Sequence, residues 1–204
     1  TRVGEGYMPG EFSTRSSIQS FANKNTELFK DDVLKEKFLK TRLQEINLEA
    51  SKLGSLASKL ELSNKLGEYI MVKAGEIGVS TGRGRSPGRL DLAWMQYAIQ
   101  INNPIGLALN CLDIASGLEK IEIITAYKYQ GKILPPGQVP TLDLQNVKPI
   151  IEFWDGWNED VAGIIDWNKL PLKAQKFIKH LEDKVKCPVI LIGTGAERKD
   201  TIFH

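Results

Sequence analysis

The sequence predicts an α/β fold: part of a mostly parallel sheet flanked by helices, with a largely helical insert at 13–76. Three observations predict it. The apolar runs at 105–112 and 188–192 have the length and continuity of buried strands, and 121–127 reads as another strand. Helical periodicity separates them, at 90–102 and again after Leu170-Pro171. The run 26–74 carries apolar residues at steps of three and four with Lys, Glu and Asp between them, the pattern of amphipathic helices.

In chain order, residues 1–12 are rich in Gly and Pro and read as a loop. Leu28, Val33, Leu34, Phe38, Leu39, Leu43 and Ile46 then form the stripe of a helix over about 26–53. Gly54 interrupts it, and Leu56, Leu60, Leu66 and Ile70 mark a second helix over about 55–74. Together they read as a structural helical hairpin, with partner binding as the other use of such a surface. After an arginine-rich loop, 90–102 reads as a helix with Leu90, Trp94, Tyr97, Ala98 and Ile101 on one face, ended by Asn103-Pro104. A buried strand runs from Ile105 toward Asp113 and a second spans 121–127. Tyr129-Gln130-Gly131 suits a turn, and 149–154 a short strand. Pro171 opens a helix whose apolar face is Ala174, Phe177, Ile178, Leu181 and Val185. His180, among lysines, reads as an ordinary surface residue. A last buried strand, 188–192, runs into Gly193-Thr194-Gly195.

Composition narrows the function classes. The 204 residues are 42% hydrophobic and 25% charged, as in ordinary globular proteins, and a net charge of +2 argues against a general nucleic-acid or membrane binder. No apolar run approaches the roughly 20 residues that span a bilayer. No signal peptide is visible. Two lone cysteines, Cys111 and Cys187, and two lone histidines, His180 and His204, have no metal-ligand spacing, so neither a zinc site nor a disulfide framework is expected. A reducing cytoplasm fits best. The opening Thr1-Arg2-Val3-Gly4-Glu5-Gly6 looks like the middle of a longer polypeptide, and a truncated or cleaved chain is expected.

The most chemistry lies in Val79-Ser80-Thr81-Gly82-Arg83-Gly84-Arg85-Ser86-Pro87-Gly88-Arg89. Three arginines fall within seven residues, with no acid between Glu76 and Asp91. Guanidinium groups grip carboxylates and phosphates through paired hydrogen bonds, and the glycines let a ligand approach the backbone. The loop leads toward a helix N-terminus, where the N–H groups and the helix dipole also favour anions. The same composition suits a solvated linker or a weak RNA-binding segment. The glycine spacing is neither a dinucleotide fingerprint nor a phosphate-binding Walker loop. A second candidate pairs Asp113, at the end of one strand, with Gly193-Thr194-Gly195, at the end of another. Neighbouring strands would bring both to one edge of the sheet. There an acceptor-only carboxylate would select a base with an N–H and an exocyclic amino group, as in guanine. Leu-Asp at a strand end is also a common structural feature.

Several motifs, in one order, resemble the adenylosuccinate synthetase family. Residues 1–11, TRVGEGYMPGE, are similar to its TRVGxGPFPTE stretch. Residues 80–88, STGRGRSPG, resemble its TTGRRRRxG loop. Asn110-Cys111-Leu112-Asp113 resembles TKLD, and Ile124-Thr125-Ala126-Tyr127 resembles CTAY. Residues 156–160, GWNED, resemble PGWxED. Residues 188–195 with Asp200-Thr201-Ile202 resemble PVxxISTGPxRxxTI. The order covers nearly the whole chain except 13–76.

The resemblance implies a P-loop-like synthetase fold, of which residues 1–204 are the C-terminal portion. It implies a ligase that joins L-aspartate to IMP, driven by GTP hydrolysis with Mg2+, in purine biosynthesis, as a cytoplasmic homodimer. By motif position, Val79, Ser80, Thr81, Gly82, Arg83, Gly84 and Arg85 would bind aspartate. Val3 and Arg83 would bind IMP. Arg85, Cys111, Leu112, Asp113, Gly193, Thr194 and Gly195 would bind GTP. Substrates would be small molecules, with no nucleic acid or membrane. The family's phosphate loop, catalytic Asp and His and metal ligands match nothing here, so no catalytic or metal residue is assigned. They are expected on an N-terminal half, without which the chain would be inactive. The sequence departs from the family where Gly84 replaces an arginine, Arg89 a tryptophan and Cys111 a lysine, and where 13–76 is longer. Three alternatives are a non-catalytic guanine-nucleotide-binding module, a truncated paralogue, and a phage-type variant acting on dGMP.

Overall fold

The computed structural model describes residues 8–50 and 56–204, and the side chains of all of these except 56–60. The chain divides into two compact units, Thr1–Arg89 and Leu90–His204.

The first unit is helical. Its helices are α1 (Arg15–Lys24), α2 (Asp32–Ala50) and α3 (Leu56–Lys73), with a short 3₁₀ turn at Thr26–Phe29. The sequence reading misses α1. Its segment is rich in Ser and Asn, residues that compete with the helix backbone, and only Ile18 and Ala22 are buried. What holds α1 is its cap and its packing. The Thr14 side chain accepts from the Ser17 N–H at 3.3 Å, and Ile18 and Ala22 pack with Met71 of α3. The second helix starts at Asp32, not near 26, because the Asp31 carboxylate caps it, accepting from the N–H groups of Val33 and Leu34. Val33 and Leu34 are exposed, and Ile46 is the buried residue of that stripe. On α3, Leu62, Leu66, Tyr69, Met71 and Val72 are buried. The expected positions Leu56 and Leu60 have side chains outside the described residues. Arg42 of α2 reaches Glu68 of α3 at 2.8 Å, and Lys65 of α3 pairs with Glu49 of α2.

The second unit is α/β. Its elements are β1 (Leu90–Asp91), α4 (Leu92–Asn102), β2 (Leu107–Leu109), β3 (Lys120–Tyr129), β4 (Lys132–Leu134), β5 (Lys148–Asp155), α5 (Leu172–Val185), β6 (Val189–Gly193) and β7 (Thr201–Phe203). One sheet centres on β3, which pairs in parallel with β1 and antiparallel with β4 and β5. The other has the order β2-β6-β7, parallel then antiparallel. The pairing is therefore mixed rather than mostly parallel. The β3–β4 turn uses Gln130 (φ 48°) and Gly131 (φ 83°), two successive positive-φ residues as a tight hairpin requires. The apolar face of α5 is as predicted: Ala174, Phe177, Ile178, Leu181 and Val185 are all buried, in a core with Trp157, Val161 and Ile192.

Three expectations are corrected here. The helix after the arginine loop begins at Leu92. It buries Leu92 and Ala93, with Met95 and Ile99 against the core, while Trp94, Ala98 and Ile101 are exposed. Its richness in apolar residues makes two faces look alike in sequence. The run 105–112 is not one buried strand. Among the described residues only 107–109 pair, on β6 alone, and Ile105 is 91% exposed. His180 is not an ordinary surface residue. Its ring stacks on Trp154 with centroids 4.0 Å apart, and its Nε2 lies 2.8 Å from Glu152 Oε1.

Candidate functional site

The arginine loop is a small hairpin. The Arg85 N–H donates to Glu76 O at 2.9 Å, and Ile77 and Gly84 form an antiparallel bridge. The Gly78 N–H donates to Arg83 O, and the Gly82 N–H to Gly78 O, each at 2.8 Å. Gly82 has φ 62°, the left-handed conformation that glycine adopts without strain. The tip, Val79-Ser80-Thr81-Gly82, projects outward, with Val79 99% exposed.

The three arginines have separate surroundings. Arg89 is a packing residue: it donates to Glu11 O and Ser63 Oγ, both at 2.9 Å, and its guanidinium sits 4.5 Å from the Phe12 ring centre. Arg85 is half-buried and pairs with Glu76 at 3.3 Å. Sequence inspection misses this pair because Glu76 lies nine positions away, and only the hairpin register brings it across. Arg83 is exposed. Gly84 is tightly surrounded: a Cβ there would stand 3.1 Å from Ala22 Cβ, 3.1 Å from Met71 Sδ and 3.2 Å from Ile18 Cγ2. Arg83, Gly82 and Thr81 line an open cavity of about 460 Å³ whose other residues are Arg15, Gln19 and Asn23 of α1. The sequence reading does not single out these three. Their signal was a polar stripe at every fourth position.

The helix N-terminus after the loop is not open to an anion. The Asp91 carboxylate caps α4, accepting from the Trp94 N–H at 3.0 Å, and the Tyr127 hydroxyl donates to its other oxygen. Burial pushes the Asp91 carboxyl above the usual carboxylate range, with these hydrogen bonds opposing it.

In the second unit, β2 and β6 are parallel neighbours with Leu109 opposite Ile192. Their C-terminal ends therefore lie side by side. A Cβ on Gly193 would meet Asn110 Oδ1 at 3.0 Å and Asn110 Cα at 3.3 Å. Cys111 is exposed and takes a left-handed conformation (φ 62°), which ends the strand and turns the chain into the 3₁₀ turn Leu112–Ala115. Leu112 is buried in the core, and Asp113 lies in the first turn of that element. Thr194 is fully buried. Its hydroxyl donates to Ile164 O at 2.7 Å, and its N–H to Asp200 O at 2.9 Å. Its side chain thus anchors the loop, and the adjacent Gly193 is itself buried. At Gly195 a Cβ would come within 2.5 Å of Asp200 Oδ2. The expected site residue Val3 lies outside the described residues. Among the described residues no three His, Cys, Asp or Glu side chains converge as a metal site would require.

Comparison with known proteins accounts for these motifs. The family profile of adenylosuccinate synthetase matches residues 1–202. The adenylosuccinate synthetase of Thermodesulfovibrio yellowstonii is 38% identical over 143 residues, covering 70% of this chain and 34% of the relative. That of Halothermothrix orenii is 37% identical over 144 residues, covering 70% and 33%. Among solved structures, the fully ligated adenylosuccinate synthetase of Plasmodium falciparum superposes with a TM-score of 0.65 at 33% identity, covering 68% of this chain and 34% of that one. The chain thus matches about a third of the length of these relatives.

Proposed function

Because the chain belongs to the adenylosuccinate synthetase family, we propose that it carries the aspartate loop and guanine pocket of a GTP-dependent ligase that forms adenylosuccinate from IMP and L-aspartate. The parallel pairing of β2 and β6 carries the reading. It brings Asn110-Cys111-Leu112-Asp113 beside Gly193-Thr194-Gly195 at strand C-termini, where α/β sheets bind ligands. Asp113 would accept from the N–H and amino group of guanine, and Gly193 and Gly195 would let the base lie close to the backbone. The hairpin 79–85 would hold the aspartate carboxylates, with Arg83 also reaching IMP and Arg85 the GTP phosphates. Val3 would line the IMP ribose. In the proposed reaction, GTP phosphorylates O6 of IMP, and the aspartate amine then attacks C6 as phosphate leaves. These residues bind and orient. The Mg2+ that the family uses would be held by residues of an N-terminal half together with the substrate phosphates.

A cytoplasmic setting belongs to the same reading. Neither Cys111, which is exposed, nor Cys187, which is buried, is in a disulfide among the described residues, which suits a reducing compartment. No helix among the described residues is long and apolar enough to cross a membrane. A homodimer completed by an N-terminal catalytic half is also part of the proposal, and sedimentation of the full polypeptide tests it.

Calorimetry with GDP and ATP tests the pocket. The chain should prefer GDP, and Asp113→Ala should abolish that preference. Equal affinity for the two nucleotides, or a preference untouched by Asp113→Ala, would remove the guanine assignment.

A further inference from the structure

We propose that Glu76 is a built-in stand-in for the ligand at Arg85: its carboxylate holds the guanidinium in the free chain and yields it to the carboxylate or phosphate of an incoming anion. This rests on reading the hairpin as an anion-binding loop that includes Arg85, and it adds a residue from outside every motif that carries the family resemblance.

Glu76 and Arg85 face each other at the neck of the hairpin. Ile77 and Gly84 form an antiparallel bridge, and the Arg85 N–H donates to Glu76 O at 2.9 Å, so the next pair outward, 76 and 85, are cross-strand neighbours. The Glu76 side chain is 19% exposed and that of Arg85 36%, so the carboxylate sits deeper than the cation it meets. A carboxylate so far withdrawn from water needs a cation or donors beside it.

The contact is nevertheless loose. A single approach of Nη1 to Oε2 at 3.3 Å joins the pair, longer than the roughly 2.7–2.9 Å of a strong charge-assisted bond. The Arg85 Nε is buried and has no hydrogen-bond partner among the described residues, and a buried donor left unmet is costly. A partly exposed pair of this length is weak. A ligand carboxylate or phosphate that takes two guanidinium N–H groups in parallel is strong. Exchange of one anion for the other is therefore favourable. It need not disturb the hairpin, because the neck is also held by backbone contacts that neither side chain makes. While paired, Glu76 cancels the Arg85 charge, so an anion must displace it. That selects groups able to grip guanidinium in parallel over simple anions such as chloride.

Calorimetry and carboxylate ¹³C NMR on the 204-residue chain test this, with L-aspartate as the carboxylate probe and GDP as the phosphate probe. Glu76→Gln keeps the shape and removes the charge. It should tighten binding of whichever probe Arg85 grips by about two- to fivefold, the strength of a weak ion pair. Arg85→Gln should weaken the same probe, and in that background Glu76→Gln should change affinity by less than about 1.5-fold. In the wild-type chain, the Glu76 carboxylate signal should move along the binding curve of that probe, a readout that needs no variant to fold. If Arg85→Gln weakens binding while Glu76→Gln leaves it unchanged or weakens it, or while the Glu76 signal stays still, the exchange is overturned and the hairpin reading survives. A gain from Glu76→Gln of equal size without Arg85 would be a general charge effect and would overturn it too. If Arg85→Gln weakens neither probe, or neither saturates, both readings fall.

Discussion

Replacing Gly84 by alanine should destabilise the helical unit even though its backbone conformation suits any residue. The new Cβ would lie 3.1 to 3.2 Å from Ala22 Cβ, Met71 Sδ and Ile18 Cγ2. Ile18 and Met71 have no exposure, so neither can retreat into solvent. Overpacking of this kind costs about 1–3 kcal/mol. The thioether of Met71 can adjust, which favours the lower half of that range. Alanine also restricts the unfolded chain, returning about 0.4–1 kcal/mol. The net expectation is a loss of about 1 kcal/mol, read as a lower urea midpoint at unchanged m-value. Ala22→Gly removes one of the three clashing groups. The double mutant Gly84→Ala/Ala22→Gly should therefore be more stable than the sum of the single changes predicts. Gly84→Ala at wild-type stability or above, with no coupling to position 22, would refute the packing argument.

Three further outcomes follow from other contacts. Gly156→Ala would put a Cβ 1.8 Å from the Leu118 carbonyl oxygen, a backbone atom that cannot move alone. The variant should lose about 4 kcal/mol or more and accumulate as insoluble protein, as solubility assays would show. The Asp91 carboxyl is held by burial above the usual range, so the folded state binds the extra proton. Its contribution to stability is greatest below the unfolded pKa of about 3.9 and declines as pH rises through the raised folded value. Asp91→Asn should remove that decline from urea midpoints measured across the acid range, and an unchanged slope would contradict it. Among the loop arginines, Arg89→Ala should cost about 2–3 kcal/mol by breaking two charged hydrogen bonds and the Phe12 stack. Arg83→Ala should stay within about 0.5 kcal/mol of wild type in the same unfolding assay.

What the sequence made legible follows from how local each signal is. The α5 face was readable because Ala174, Phe177, Ile178, Leu181 and Val185 repeat with helical period against a charged opposite face. The strand positions 121–127 and 188–192 were readable because β-rich apolar runs end at clear turn residues. By contrast, α1 depends on a threonine cap and on Met71, some fifty residues away, and its serines give no periodic signal. The core face of α4 was hidden because Trp94 and Ile101 are as apolar as Met95 and Ile99, and only the docked sheet distinguishes them. The run 105–112 reads as buried because hydropathy does not reveal that β2 is an edge among the described strands. At the candidate site, spacing singled out the arginines and the two strand ends, but it could not show that Arg89 packs on Phe12 and Arg85 pairs with Glu76.

That division matters for how the hairpin can bind. An exposed guanidinium carries about 2 kcal/mol of side-chain entropy, which a ligand must overcome when it orders the arginine. A loop with three free arginines would spend much of its attraction on such ordering and would stay accessible to any polyanion. Here Arg89 is fixed against Phe12 and Ser63 and stiffens the frame, while Arg85, paired with Glu76 and still partly exposed, starts out partly ordered. Charge that looks redundant in sequence is thus divided between scaffold and contact. A frame held from both ends can keep the tip backbone, with its positive-φ Gly82, in one arrangement before a ligand arrives.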